Sequence, residues 1–418
     1  MRILFLSAFY PPYVIGGWEQ LVQDINQDLQ ARGHETHVLT SMFGVNKPMR
    51  EPGVDRILDL ETDVYHYRPI DFLAHPPRVR NNIHRVKKTI KTFQPDIVFV
   101  HVMWNLSRGV AWIAEQLCPE RVVYYIANDW PYAADSHSAF WTDRARGSLA
   151  AKAKELIAPI PLKIMRYENN RFHLDFKRVM CVSQSVKNDL AAKAGIGLQR
   201  MLVVHNGVGG HVFTPDWSKK PYGAERAFSL LYAGNIVPHK GVHTAVEAMA
   251  LLAQKPDAKN VHLSIIGSGH PDYEDSLREL VSRHHLEDKV SFLGRVPRSE
   301  MPALMRKFDG LVFPSIWNEP LARVMEEAMA SGLVVIGTLT GGTGELLAEG
   351  ETGLTFPPEH PEMLAQRIEQ LYDNPVLCRT LAENGRNKVL REFGRDRMVD
   401  EIEIYLKDVV QNTVVLSH

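Results

Sequence analysis

At 418 residues the chain has material for two domains rather than one, and 45% hydrophobic with 23% charged residues is the composition of an ordinary globular protein. The net charge of −1 hides an asymmetry: residues 1–210 carry 26 Lys+Arg against 20 Asp+Glu, and the remainder carries 22 against 29. That balance argues against general nucleic-acid binding and leaves room on the first half for an anionic ligand or a membrane surface. Cys118, Cys181 and Cys378 are far apart and form no CxxC pair, so neither a disulfide framework nor a zinc site is indicated. The apolar run in "MRILFLSAFYPP" is too short for a signal peptide, and no run of 18 apolar residues is present to span a bilayer. The expectation is a cytoplasmic protein.

In chain order, "RILFLSAF" reads as a buried strand, followed by an amphipathic helix in which Leu21, Val22, Ile25 and Leu29 share a face, with Gly33 as its stop. "THVLTS", "DIVFVH" and "RVVYYIAN" are further strands with helical pattern between them. The rhythm restarts after residues 203–223, which are rich in Gly, Pro and polar residues. There "SLLYAGN", "HLSIIGSG", "VSFLG", "GLVFPS" and "VVIGT" alternate with helices such as "HTAVEAMALLAQ" and "RVMEEAMASG". Continuous apolar strands alternating with helices imply parallel sheets covered on both faces. Two such series predict two doubly wound α/β domains, with ligands outside the C-terminal strand ends. "RDRMVDEIEIYLKDVVQ" closes the chain as one more amphipathic helix.

Four strand–helix turns carry chemistry-bearing residues. Gly16 and Gly17 in "YPPYVIGGWEQ" lack Cβ atoms where free N–H groups of a helix start could meet an anion; a tight turn is the plainer reading. Lys240, in "YAGNIVPHKG", is a point charge before a helix and suits a diphosphate, although most lysines are simply solvated. In "NEPLARVMEEAMASG", Pro320 suits the first turn of a helix, which would leave the N–H groups of Leu321, Ala322 and Arg323 open to phosphate oxygens. On that reading Glu319 and Glu327 stand roughly 12 Å apart along a helix axis, the span of a sugar–diphosphate–ribose chain, each facing vicinal hydroxyls. Finally, "GGTGEL" places Gly341, Gly342 and Gly344 before Glu345 as another glycine-rich turn able to approach phosphates.

Taken together, "PPxxxGG", "ARGHETHVLT", "NGV", "YAGN…KG", "PSxxNEPxxxxxxEEAMASG", "GGTGEL" and "TGLTF" resemble glycosyltransferase family 4. The resemblance covers nearly the whole chain and is strongest from about Leu230 to Pro357. It implies the GT-B fold: two Rossmann-like domains facing each other across a cleft, 1–205 for the acceptor and 206–395 for the nucleotide sugar, with the helix at about 396–418 packing back on the first. It also implies a retaining hexosyltransferase that needs no metal and no cofactor beyond its donor, a UDP-glucose-like or GDP-mannose-like nucleotide sugar. Gly16 and Gly17 match the loop that closes on the diphosphate and Lys240 the lysine that neutralises it. Glu319 matches the glutamate beside the hexose, Leu321 to Val324 the turn over sugar and phosphate, and Glu327 the acceptor of ribose hydroxyl hydrogen bonds.

Two positions depart from the family. Asn235 stands where an arginine is usual, and Arg295 and Arg323 are candidates to replace its charge. Asn128-Asp129 stands where many members carry a histidine; Asp129 is the candidate to orient or deprotonate the acceptor hydroxyl, with a turn residue as the alternative. His101 is expected to be structural. The acceptor is expected on the first domain: a sugar, a sugar phosphate as in sucrose-phosphate synthases, or a lipid-linked sugar. Trp104, Trp112, Trp130 and Trp141 are candidates to stack on it. Basic stretches at 76–93, with six Lys+Arg, and at 144–178, with nine, suggest peripheral membrane contact or a solvated face. Rival readings are a catalytically impaired nucleotide-sugar binder and a sugar-nucleotide epimerase.

Overall fold

The computed structural model describes residues 1–64, 66–143, 149–219, 227–255 and 259–415. Residues 220–223 of the expected linker and 144–148 of the second basic stretch lie outside them. The chain forms two compact units, one of Met1–Val182, Val186–Val204 and the residues from Val399 on, the other of Ser183–Ser185 and His205–Met398.

In the first unit, the strands are β1 (Arg2–Ser7), β2 (Glu35–Ser41), β3 (Met49–Glu51), β4 (Val54–Leu58), β5 (Ile97–Val100), β6 (Val122–Ile126), β7 (Val179–Cys181) and β8 (Met201–Val203). They form one sheet in the order β3-β4-β2-β1-β5-β6-β7-β8, parallel except for the β3–β4 pair. Every residue of β5 and β6 is buried, as expected of strands with helices on both faces. The helix Trp18–Ala31 buries Leu21, Val22, Ile25 and Leu29, the predicted face. The end of the closing helix Arg395–Val415 belongs to this unit, where Glu403 pairs with Arg32 at 2.8 Å and His34 at 3.0 Å.

The second unit holds β9 (Phe228–Ala233), β10 (Val261–Ile266), β11 (Val290–Gly294), β12 (Gly310–Phe313), β13 (Val334–Gly337) and β14 (Gly353–Thr355), in the order β11-β10-β9-β12-β13-β14 and all parallel. Its core runs through Leu230, Val246, Leu263, Val312, Ile336, Leu364 and Leu381. Counted within the unit, this is the 3-2-1-4-5-6 order of a doubly wound sheet, whose strand order reverses between its first and fourth strands. Those are β9 and β12; in the first unit the equivalent reversal lies between β1 and β5. Loops leaving these pairs diverge to opposite faces of the sheet, which opens a crevice at each reversal.

Candidate active site

In the second unit, the loops that leave β9 and β12 are tied together. The chain after β9 passes the short 3₁₀ turn Pro238–Lys240 before the helix Val242–Ala253. The His239 carbonyl accepts from the N–H groups of Ile316 (3.0 Å) and Trp317 (3.1 Å), and a Cβ at Gly241 would run into the Pro314 carbonyl. This contact delivers Lys240 Nζ to 2.5 Å from Glu319 Oε1, which also accepts from Ser315 Oγ at 2.5 Å. Glu319 is 5% exposed, so its charge is held by a cation and a hydroxyl rather than by bulk water. Lys240 and Glu319 therefore meet at the β9–β12 reversal.

The glycine-rich turn after β13 supports this pair. The Gly342 N–H donates to the Glu319 carbonyl at 2.7 Å. A Cβ at Gly341, which has φ +59°, would collide with the Glu319 backbone, and one at Gly342 with the Pro320 carbonyl. These glycines let one backbone lie on another, which differs from the expected approach to a phosphate. Gly344 has open space where a Cβ would be.

The reading of Pro320 needs correction. The helix begins at Arg323 and its N-cap, Ala322, is extended (φ −84°, ψ 102°) with no side-chain cap, so Pro320 precedes the first turn. Leu321 and Ala322 form a buried extended lead-in, and the helical rise does not measure the distance from Glu319 to Glu327. Glu327 is 5% exposed, with Arg298 Nη1 at 2.7 Å and Arg323 Nε at 3.9 Å from its Oε1; neither is aligned as a hydrogen bond, and Oε1 has no such partner among the described residues. Sequence reasoning missed Arg298, whose only signal was its place in a loop after β11. The adjacent Glu326 is different in kind: it is fully buried, burial drives its carboxyl well up, and Asn206 Nδ2 donates to it at 2.8 Å. Asn235 is exposed at the end of β9 and its carbonyl accepts from the Tyr232 hydroxyl at 2.8 Å. Of its candidate replacements, Arg323 lies by Glu327 and Arg295 is exposed.

In the first unit, Gly17 is the N-cap of Trp18–Ala31, but the Gly16 N–H is not open to an anion: it donates to Glu19 Oε2 at 3.0 Å. Glu19 is 4% exposed; burial raises its carboxyl, while the amides of Glu19, Gly16 and Ile15 pull it down. The chain thus fills its own cradle with a carboxylate. Asp129 begins a turn, its carbonyl accepting from the Tyr132 (2.9 Å) and Ala133 (2.7 Å) N–H groups, and its side chain is half-buried. Asn128 Oδ1 is buried with no partner among the described residues. His101 stacks on Phe5 at 5.4 Å, and burial pushes it down to about 3; it is a neutral core ring. Trp104 and Trp130 line a cavity, Trp112 packs on Phe172 at 5.2 Å, and buried Trp141 donates to the Tyr67 hydroxyl at 3.1 Å.

Two family models match in tandem, "Glycosyltransferase Family 4" over residues 15–209 and "Glycosyl transferases group 1" over residues 214–388. The chain belongs to glycosyltransferase family 4. It is 26% identical to a glycogen synthase of Mycobacterium tuberculosis, over 94% of this chain and 91% of that protein. Among solved structures it is similar to a sucrose-phosphate synthase of Thermosynechococcus elongatus, with a TM-score of 0.72, 20% identity and coverage of 98% of this chain and 99% of that one. It is also similar to Anabaena HepE in complex with UDP-glucose, with a TM-score of 0.68, 22% identity and coverage of 98% and 100%. As a family 4 glycosyltransferase the protein has the GT-B fold class, two Rossmann-like α/β domains with parallel sheets, and the Lys240–Glu319 pair lies in the second.

Proposed function

We propose that this family 4 enzyme is a retaining hexosyltransferase that moves a hexose from a nucleotide-diphosphate sugar to a hydroxyl acceptor without a metal. The meeting of Lys240 and Glu319 at the sheet's reversal carries the reading, with Glu327 on the helix that follows. HepE, in complex with UDP-glucose, supports a nucleotide-sugar donor, and the glycogen and sucrose-phosphate synthases support carbohydrate acceptors. Lys240 and the main chain of Leu321 to Val324 stabilise the leaving diphosphate, fixed charge and dipoles acting where negative charge develops. Glu319 holds the hexose and Glu327 the ribose hydroxyls, Gly16 and Gly17 close on the phosphates once Glu19 is displaced, and Asn235 leaves one clamping charge to Arg298 or Arg323. Asp129 orients or deprotonates the acceptor hydroxyl, helped by Asn128, and attack comes from the face the diphosphate leaves.

A thermal-shift panel of UDP, GDP, ADP and their sugars identifies the donor through the stabilisation that ligand binding gives the folded state. With that donor, Glu327→Ala weakens nucleotide binding tenfold or more and Lys240→Ala lowers kcat roughly 100-fold, the scale of losing one charge-stabilising group. Full activity in both variants would sink the site assignment. Binding with neither donor hydrolysis nor transfer across an acceptor panel would replace the enzyme with a nucleotide-sugar binder. We further propose peripheral contact with an anionic membrane through the helices Leu149–Ile157 and Pro159–Arg171. There Leu156, Ile160 and Tyr167 are each more than three-fifths exposed, with Lys152, Lys163 and Arg166 also exposed on the same helices.

A further inference from the structure

The first unit holds a cavity of about 380 Å³ outside the ends of β5 and β6, at the small end of the roughly 300–1,000 Å³ range of ligand sites. Three loops build it. The loop after β5 brings Trp104 and Arg108, the loop after β6 brings Trp130 and Asp135, and the loop after β4 brings Glu61; the helix Pro159–Arg171 adds Glu168. Asn105 fastens two of the loops, its carbonyl accepting from the Glu61 N–H at 3.0 Å and its Oδ1 from the Thr62 N–H at 3.1 Å.

Two polar side chains of this wall, each more than nine-tenths buried, have no side-chain hydrogen-bond partner among the described residues. Glu61 is 5% exposed. Its N–H goes to Asn105 and its carbonyl accepts from Arg78 at 2.6 Å, which leaves the carboxyl as the group turned to the cavity. No hydrogen bond to that carboxyl is made by the described residues, and burial pushes it up to about 8, so at neutral pH it is chiefly an uncharged acid with one donor and one acceptor. Trp130 is 7% exposed, and its indole N–H has no acceptor among the described residues but is sealed from the cavity. Leaving the Glu61 carboxyl unmet costs free energy, and a ligand that meets it recovers it.

The charged groups, by contrast, are already committed. Glu168 accepts from His75 Nε2 at 2.8 Å and from Ser107 Oγ at 3.0 Å. Burial works against protonation of His75, but Glu168, Glu61 and Asp135 together outweigh it and the ring's pKa is raised. Asp135 caps the helix Ser136–Thr142 through the Ser138 N–H at 2.7 Å and accepts from Asn169. Arg108 donates to the Pro131 carbonyl and, among the described residues that line the cavity, is the one cationic side chain against three carboxyl groups.

We propose that this cavity is the acceptor subsite and that it takes an uncharged, hydroxyl-rich ring, a neutral sugar or polyol, in preference to its phosphate ester. The assignment of an acceptor rests on the transferase reading above. The ring's hydroxyls donate to and accept from Glu61, while its apolar face stacks on half-exposed Trp104, the arrangement that lets a site select a hydroxylated ring. A phosphate would bring two negative charges beside Asp135 and Glu168, with Arg108 the single cationic side chain among the described lining residues to meet them.

Tryptophan fluorescence of the full chain gives a direct test. It is titrated with glucose, mannose, N-acetylglucosamine and myo-inositol, and with the phosphate esters of the same rings. At least one neutral ring changes the emission and binds tenfold or more tighter than its ester. Glu61→Ala and Trp104→Ala each weaken that ring, and raise its KM in transfer, at least tenfold with the donor KM unchanged, whereas Glu61→Gln stays within about threefold because an amide also donates and accepts. Tighter binding of the esters, no response to any neutral ring, or unchanged affinity in both Glu61→Ala and Trp104→Ala overturns the proposal. Transfer that proceeds normally in those variants removes the cavity and spares the transferase; ring binding without transfer from any nucleotide sugar does the reverse.

Discussion

At the scale of single residues, neighbouring acids have opposite roles, and spacing does not distinguish them. Glu326 and Glu327 are adjacent in sequence, yet the first is sealed in the core against Asn206 and the second lies by Arg298. Lys240 and Glu319 were legible because both follow apolar strands; their contact was not, since 79 residues separate them. Glu61 had no sequence signal, because its character comes from burial by loops distant in the chain. Burial, aided by Asp135 and Glu168 and opposed by His75 and Arg108, lifts its carboxyl from 4.5 to about 8. Below pH 4.5 both folded and unfolded chains keep the proton and nothing is lost. From 4.5 to 8 the unfolded chain gives it up while the folded chain keeps it, so stability falls as pH rises. Glu61→Gln removes this dependence, and its advantage over the native chain in unfolding free energy grows from near zero at pH 4.5 to on the order of a few kcal/mol at pH 8. Denaturant unfolding across that range checks it; a constant difference would mean that Glu61 does not titrate in this way.

At the scale of elements, long apolar strands were readable and short ones were not. β1, β5, β6, β9 and β12 are apolar throughout or nearly so because helices cover both faces. By contrast β3, β7, β8 and β14 are three residues each, too short for any period to show. The start of the Glu327 helix was misplaced because Pro320 is equally suited to the extended lead-in that the chain adopts. The "GGTGEL" sequence predicts a turn free to approach a ligand; in the structure the backbone of 341–342 also rests on that of 319–320, while Gly344 faces open space. Gly341→Ala, which meets both a positive φ and a collision with Glu319, should cost about 2 kcal/mol in urea unfolding and weaken donor binding by shifting Glu319. Gly344→Ala, with open space, should stay within about 0.5 kcal/mol. Equal effects from the two would remove the supporting role given to Gly341.

For the molecule as a whole, composition indicated two α/β domains but not which surfaces are apolar. The second basic stretch suggests either a membrane contact or a solvated face; its described part exposes Leu156, Ile157, Ile160, Ile164 and Tyr167. Apolar groups beside lysine and arginine suit the boundary of an anionic bilayer. No described helix is long and apolar enough to cross one. The full chain should float with vesicles containing phosphatidylserine and stay behind with neutral ones, and Leu156→Ser with Ile160→Ser should lower the bound fraction severalfold. Equal binding to both kinds of vesicle would exclude a charge-led contact.

The closing helix Arg395–Val415 begins among residues of the second unit and ends in the first, where Glu403 meets Arg32, His34 and Lys407. Apart from the three residues Ser183–Ser185, which group with the second unit, the polypeptide passes between the units near residue 204 and again near residue 398. Such a chain is wired as a loop rather than as two beads on a string. Were the first crossing severed, the carboxyl-terminal fragment would still own the 399–415 segment that the amino-terminal fragment requires to complete its fold, and the two pieces would remain one molecule by complementation.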